Sequence, residues 1–253
     1  MNAKLSFPST GYDTCFAVED NSFWFRHRNH VIGDILAAVP ATKMIWDIGG
    51  GNGVVSKYLQ DKGHHVTLLE PGTIGCKNAS SRGVKNVICS HLDQLDRELQ
   101  FDHAICCDVI EHIKDSGSFV ENIAERMTAK GLFLVTVPAY SILWSREDEV
   151  AGHFKRYSKN EFINEICAAG FELEYSTYLF QHLVLPVYLL RTLPHRFHLS
   201  KKWTAKEMDS HIQAHLSHKS QIITFLLERE FRKIHKKKSL SYGTSLLGLF
   251  RKS

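Results

Sequence analysis

The segment KMIWDIGGGNGVVSKYLQ, residues 43–60, holds the first side chains and backbone able to do chemistry. Asp47 closes an apolar run, and four glycines (Gly49, Gly50, Gly51 and Gly53) fall within the five positions that follow Ile48. A dinucleotide fingerprint needs a third glycine where Val54 stands, and a Walker loop needs a terminal Gly-Lys-Ser/Thr that is missing. A carboxylate at the strand end repels a pyrophosphate and suits a cation. Glycines let the backbone approach a ligand without Cβ interference. Glu70 closes the next apolar run, 21 residues after Gly49, where a carboxylate can accept both hydroxyls of a ribose. A cationic nucleoside without phosphate meets these demands. S-adenosylmethionine, with its ammonium and sulfonium groups, is such a ligand.

A second set lies in WSREDEVAGHFKRYS, residues 144–158. His153 has the proton affinity of a general base near neutral pH, and Asp148 or Glu149 can orient it or bind a substrate. The plainer alternative is that His153 hydrogen-bonds the loop and Arg156 pairs with an acid there. His211, His215 and His218 follow an i, i+4, i+7 spacing that can share a helix face, but no fourth ligand is evident and no metal is expected.

These residues need a scaffold that brings them together. Strand patterns cover KMIWDI (43–48), HVTLLE (65–70), KNVICS (85–90), FDHAICCDV (101–109), LFLVTVP (132–138) and ELEYSTYLF (172–180). Helical patterns cover 21–40, 52–61, 116–129 and 158–171; the last opens on Ser158 and Glu161 at capping-box spacing and closes at Gly170. Alternation of this kind predicts a mostly parallel sheet covered on both faces, with ligands outside the carboxyl ends of the strands. The chemistry is therefore expected at 47–53, 70–71, 90–95, 107–112 and 138–157. GTSLLGLFRK (243–252) reads as a final antiparallel strand inside the sheet, which makes 181–238 an insertion between two strands.

Taken in order, WDIGGGNG, LLEPG and FDHAICCDVIEHI resemble the class I S-adenosylmethionine-dependent methyltransferases over about residues 40–179 and the end strand. The resemblance implies an α/β, Rossmann-like doubly wound fold: a mostly parallel seven-stranded sheet with an antiparallel C-terminal strand and a helical insertion. It implies one domain over 1–253, with a cofactor-covering helix in 1–40, a core in 41–180, a cap in 181–238 and the final strand in 239–253. It places Asp47, Gly49 and Gly51 at the methionine end of the cofactor and Glu70, followed by Pro71, at the ribose. SHLDQL (90–95), with Leu92 and Asp93, flanks the adenine; whether His91 or Asp93 meets the amine stays open. Asp108, followed by Val109, lies near the methionine moiety, Glu111 and His112 follow on the rim, and Arg28 is the carboxylate partner unless it is a surface charge. Residues 144–158 resemble a stretch of ubiquinone-pathway O-methyltransferases, which puts Asp148, His153 and Tyr157 in the catalytic set. His153 and the insertion are expected to border the cavity beside the sulfur.

Bulk properties limit the partners. The 253 residues are 43% hydrophobic and 23% charged, enough for one large core. No apolar run reaches the roughly 18 residues of a membrane span, and the N-terminus has no apolar signal core. The six cysteines show no disulfide framework and read as reduced thiols of a cytoplasmic protein. Net charge is +4, split between +9 in residues 196–253 and −5 elsewhere. That basic quarter suits an anionic partner or is simply well solvated. HLVLPVYLLRTLP (182–194) is too short to span, but with the basic quarter it can lie on the inner membrane face and admit a lipid-linked acceptor; a hydrophobic lid or dimer surface is the alternative. VPAY (137–140) lacks the Asp/Asn-Pro-Pro-Tyr/Phe amino-methylation motif, and no basic-aromatic platform for nucleic acid stands out. The expected function is methyl transfer to an oxygen or nitrogen of a small or lipid-linked molecule. A non-catalytic cofactor-binding partner and an RNA methyltransferase are the alternatives, and the oligomeric state is open.

Overall fold

The computed structural model describes residues 8–199 and 221–253. His211, His215 and His218 lie outside the described residues. Seven strands form one sheet: β1 (Met44–Ile48), β2 (His65–Glu70), β3 (Asn86–Cys89), β4 (His103–Cys107), β5 (Leu132–Pro138), β6 (Phe171–Leu179) and β7 (Ser245–Lys252), in spatial order β3-β2-β1-β4-β5-β7-β6. The first five pair in parallel, and β7 runs antiparallel to both β5 and β6. The final strand is thus an interior antiparallel strand, as the sequence pattern predicts.

The strands are near-continuous apolar runs because both sheet faces are covered. Ile45, Leu68, Ile105, Leu134 and Leu247 are all buried in this way. Helices α1 (Ser9–Glu19), α2 (Phe23–Leu36), α3 (Val54–Asp61), α4 (Thr73–Arg82), α5 (Ser116–Arg126), α6 (Arg146–Ala151) and α7 (Lys159–Ala168) surround the sheet. The capping box of α7 forms: Glu161 N donates to Ser158 Oγ, and Ser158 N donates to Glu161 Oε2. Register sets the carboxyl ends of the strands level, with Ile48 opposite Leu69 and Cys107 opposite Thr136. The strand order reverses between β1 and β4, and that is where a crevice opens.

The cysteine expectation fails at one pair. Cys76 on α4 and Cys89 at the end of β3 are joined as a disulfide, with Cα atoms 5.8 Å apart. No spacing signal marks this pair, because the crossover helix brings them together. The other cysteines among the described residues lie outside this disulfide, Cys106 buried and Cys15, Cys107 and Cys167 half-buried.

The insertion between β6 and β7 ties down other elements. Helical turns over 181–199 dock on the segment around α6: Thr192 donates to the Leu143 carbonyl (3.1 Å) and Arg191 pairs with Glu147. The Gln221–His235 helix packs on α2, with Phe231 stacked on His30 and the buried Glu230 bonded to His27 at 2.9 Å. Leu185, Leu189 and Leu190 face outward. Among the described residues no helix is long and apolar enough to cross a membrane.

Candidate active site

The crevice beyond β1 and β4 is a cavity of about 250 Å³, walled by the strand-exit loops, α1 and α2. Asp47 is buried at its floor and accepts a hydrogen bond from Ser56 Oγ (2.7 Å). Burial pushes its carboxyl up to about 6, against the opposing pull of Ser56 and Arg28. The glycine loop needs left-handed backbone: φ is 73° at Gly49 and 54° at Gly51. A Cβ on Gly49 would lie 2.8 Å from a Val109 methyl, whereas one on Gly51 would meet nothing within 4 Å. The two glycines therefore do different jobs. Gly49 lets the loop pack on β4's exit, and Gly51 leaves its face open.

Glu70 is turned into the protein and tied to that loop. It accepts from Gly51 N (2.9 Å), Gly72 N (2.7 Å) and the Tyr12 hydroxyl (2.7 Å). Burial raises its proton affinity and these three donors pull the other way. Tyr12 belongs to α1, a helix that no sequence pattern announced, since α1 has no clear apolar stripe to mark it.

Asp108 leaves β4 with φ 56°, a left-handed conformation rare outside glycine. Its Oδ1 accepts from Thr136 Oγ1 (2.9 Å), and its Oδ2 pairs with the buried Arg28 of α2. Arg28 is therefore no surface charge. Its Nε is buried without a hydrogen-bond partner. Trp24 and Phe25, from the same helix, line the cavity beside it.

The far end of the cavity is built from α6 and the loop after it. Ser145 and Asp148 cap α6 reciprocally, which buries the Asp148 carboxylate. That carboxylate accepts from His153 Nδ1 (2.8 Å) and Arg156 Nε (2.7 Å). Burial alone would raise its pKa, but the His153 hydrogen bond and the Arg156 charge hold it at about 2. His153 and His112 both line the cavity, with ring centroids 4.6 Å apart. Burial, followed by His153, depresses His112 to about 3. Glu111 is fully buried, and burial followed by Asp108 pushes its carboxyl well above the usual range. The ligand atoms of Glu111, His112 and His153 lie within 4.8 Å of one another, so these three could hold a metal ion.

The remaining sequence-predicted residues fall elsewhere. Val109 lines the cavity. Tyr157 does not: it is a buried core residue whose hydroxyl reaches Ser116 (3.4 Å) and Glu165 (3.3 Å), while its backbone bonds Pro138 and Tyr140. Leu92 is packed in the core, Asp93 is exposed and Pro71 is half-buried, and none of the three lines the cavity. No described residue of the 181–238 insertion lines it either; contact is indirect, through α2 and the segment around α6.

The chemistry of this lining fits an S-adenosyl cofactor. Acids stand where positive groups and a ribose would lie, the open face of Gly51 admits close approach, and the unpartnered Arg28 Nε offers a donor to a carboxylate.

A family model described as a methyltransferase domain matches residues 24–176. A ubiquinone biosynthesis O-methyltransferase of Rickettsia bellii (strain OSU 85-389) is 28% identical over 97 residues, covering 36% of this chain and 40% of that protein. The Rickettsia conorii protein of the same description is 28% identical over 97 residues, covering 36% and 34%. The match thus spans less than half the length of these curated relatives. Among solved structures, an S-adenosylmethionine-dependent methyltransferase from Thermotoga maritima aligns with a TM-score of 0.58 and 15% identity, covering 96% of this chain and 95% of that one. Magnesium protoporphyrin IX methyltransferase from Synechocystis PCC 6803, solved with S-adenosylhomocysteine bound, gives 0.59 and 12%, covering 97% and 95%. At such identities the structural likeness speaks for the fold.

Proposed function

The chain belongs to the methyltransferase-domain family, and from that membership we propose that it moves a methyl group from S-adenosylmethionine to an oxygen of a small-molecule or lipid-linked acceptor, a nitrogen acceptor being the alternative. The carrying observation is the two-ended cavity, with Asp47, Gly51 and Glu70 at one end and the Asp148-held His153 at the other. The cofactor, when bound, supplies a sulfonium methyl open to in-line displacement.

The chain's own residues bind, orient and exclude water. Glu70 takes a ribose hydroxyl on the one lone pair left by Tyr12, Gly51 and Gly72. Asp47 and the Gly49–Gly51 backbone face the methionine end, and Arg28 Nε and Asp108 meet its carboxylate and ammonium. Trp24 and Phe25 keep water out of the reaction path. The Asp148-held imidazole lets an acceptor hydroxyl lose its proton, which is why oxygen is favoured.

An acceptor of small size is supported by the curated relatives' description as ubiquinone biosynthesis O-methyltransferases. The exposed Leu185, Leu189 and Leu190, followed in the chain by the basic C-terminal quarter, support peripheral contact with a membrane face. Calorimetry with S-adenosylhomocysteine tests the reading. The wild type binds, and Glu70→Ala weakens binding about tenfold or more, from one hydrogen bond to a charged group at about 1.5–3 kcal/mol. No heat from the wild type overturns it.

A further inference from the structure

The carboxylate assigned to the ribose is already engaged. A carboxylate offers about four lone-pair sites, and three on Glu70 are filled by Gly51 N (2.9 Å), Gly72 N (2.7 Å) and the Tyr12 hydroxyl (2.7 Å). One site is left, while a ribose presents two neighbouring hydroxyls. The two backbone donors sit in the loop after β1 and the turn before α4, so the fold fixes them. The Tyr12 hydroxyl differs from them: it is a side-chain group from α1, 58 residues away in sequence, and its residue lines the same cavity.

Tyr12 occupies a seat shaped for it. A Cβ on Gly72 or on Gly75 would lie 2.7 Å from its ring. Gly72 has an ordinary φ of −78°, so backbone conformation does not demand glycine there; close approach of the Tyr12 ring does. The helix around it is tied down at both ends. Asn52 Nδ2 donates to the Tyr12 carbonyl (2.8 Å), and Arg82 pairs with Glu19 (2.8 Å). The side chain is buried, and burial, followed by the Glu70 charge, pushes the phenol's proton affinity up, so the hydroxyl keeps its proton and stays a donor.

We infer that the Tyr12 hydroxyl is an internal competitor for the ribose, holding the second acceptor place on Glu70 while no ligand is bound. The inference rests on the reading of this cavity as an S-adenosyl site. A ligand that engages Glu70 with both hydroxyls gains two hydrogen bonds and breaks the one from Tyr12. A ligand that uses a single hydroxyl leaves Tyr12 seated. Either way the second hydroxyl adds little net affinity, and the nucleoside end of the site is looser than its donor and acceptor groups would allow. S-adenosylmethionine and its demethylated product share the ribose, so Tyr12 weakens both, and its return to Glu70 favours departure of the spent product. Between ligands the same hydroxyl offsets the cost of burying the Glu70 carboxylate.

Calorimetry on the full chain with S-adenosylhomocysteine and its 2′-deoxy and 3′-deoxy analogues tests this. The wild type should hold at least one deoxy analogue within about threefold of the parent compound. Tyr12→Phe keeps the ring and removes the hydroxyl. It should bind the parent about tenfold more tightly, the worth of one hydrogen bond to a charged group, and should discriminate against both deoxy analogues by about tenfold. Without ligand the variant should unfold at lower urea than wild type, because the buried Glu70 loses a donor, and S-adenosylhomocysteine should raise its midpoint by more than it raises that of wild type. A Tyr12→Phe chain that is folded by circular dichroism and binds the parent equally or more weakly overturns the inference. So does a wild type that rejects both deoxy analogues by about tenfold or more, a measurement that needs no variant. If the wild type binds no S-adenosylhomocysteine, the cofactor reading falls; if it binds and Tyr12→Phe gains nothing, that reading stands and the competitor alone falls.

Discussion

His153 donates Nδ1–H to Asp148 at 2.8 Å, and Asp148 is at once the capping-box partner of Ser145 at the start of α6 and the partner of Arg156. One carboxylate thus fixes a helix start, a guanidinium and the imidazole at the cavity. The Nδ1–H tautomer of His153 follows. Nitrogen-15 NMR of the histidine rings should find it in the wild type and lose it in Asp148→Asn, and the substitution should cost about 1–3 kcal/mol in denaturant unfolding. A wild-type His153 carrying its proton on Nε2 contradicts this account.

Asp47 gives a pH dependence of definite sign. Its folded-state pKa, raised from 3.8 to about 6 by burial, lies above the unfolded value. The native state therefore binds the extra proton between about pH 4 and 6, and stability falls as pH rises through that window, by up to about 3 kcal/mol. Asp47→Asn keeps an acceptor for Ser56 and should unfold later than wild type at pH 7, with that slope removed. It should also bind S-adenosylhomocysteine more weakly. Chemical denaturation at pH 4, 5, 6 and 7 reads the first effect and calorimetry the second.

Gly49 and Gly51 separate strain from collision. Both have positive φ, so an alanine at either pays about 1–2 kcal/mol. Only at Gly49 does the new methyl also strike Val109, 2.8 Å away. Gly49→Ala should lose roughly twice the stability of Gly51→Ala. Equal midpoints in urea would show that the loop shifts freely against β4.

Glu230 anchors the insertion. It accepts from His27 (2.9 Å), Phe180 N (2.7 Å) and Gln181 N (2.9 Å), with its side chain buried. Removing the carboxylate with Glu230→Ala strands these donors and should cost about 3 kcal/mol or more. Hydrogen exchange should quicken first in α2 and the Gln221–His235 helix, because that pair meets through Glu230. Unchanged protection in α2 would show that the insertion does not brace the cavity wall.

Local patterns made much of the fold legible. The six strand patterns before the insertion, the interior antiparallel last strand and the α7 capping box depend on periodicity and on residues a few positions apart. The missed helices have local causes. α4 is rich in small and polar residues, and α1 shows no apolar stripe. α6 is one and a half turns of mostly charged residues. Packing at the sheet overrides such weak propensities.

The sequence by itself determined where chemistry could lie: a glycine loop behind Asp47, an acid at Glu70, another at Asp108 and a histidine at 153. Strand ends and tight turns are short-range features, and side-chain charge there is read directly. Only the tertiary structure decided which of them meet. Tyr12 reaches Glu70 across 58 residues, and Arg28 reaches Asp108 across 80. Cys76 finds Cys89, and Glu111 and His112 come to face His153. Tyr157 turns into the core instead. These pairings depend on how crossover helices and loops stack on a level strand rim, a geometry that no local spacing encodes.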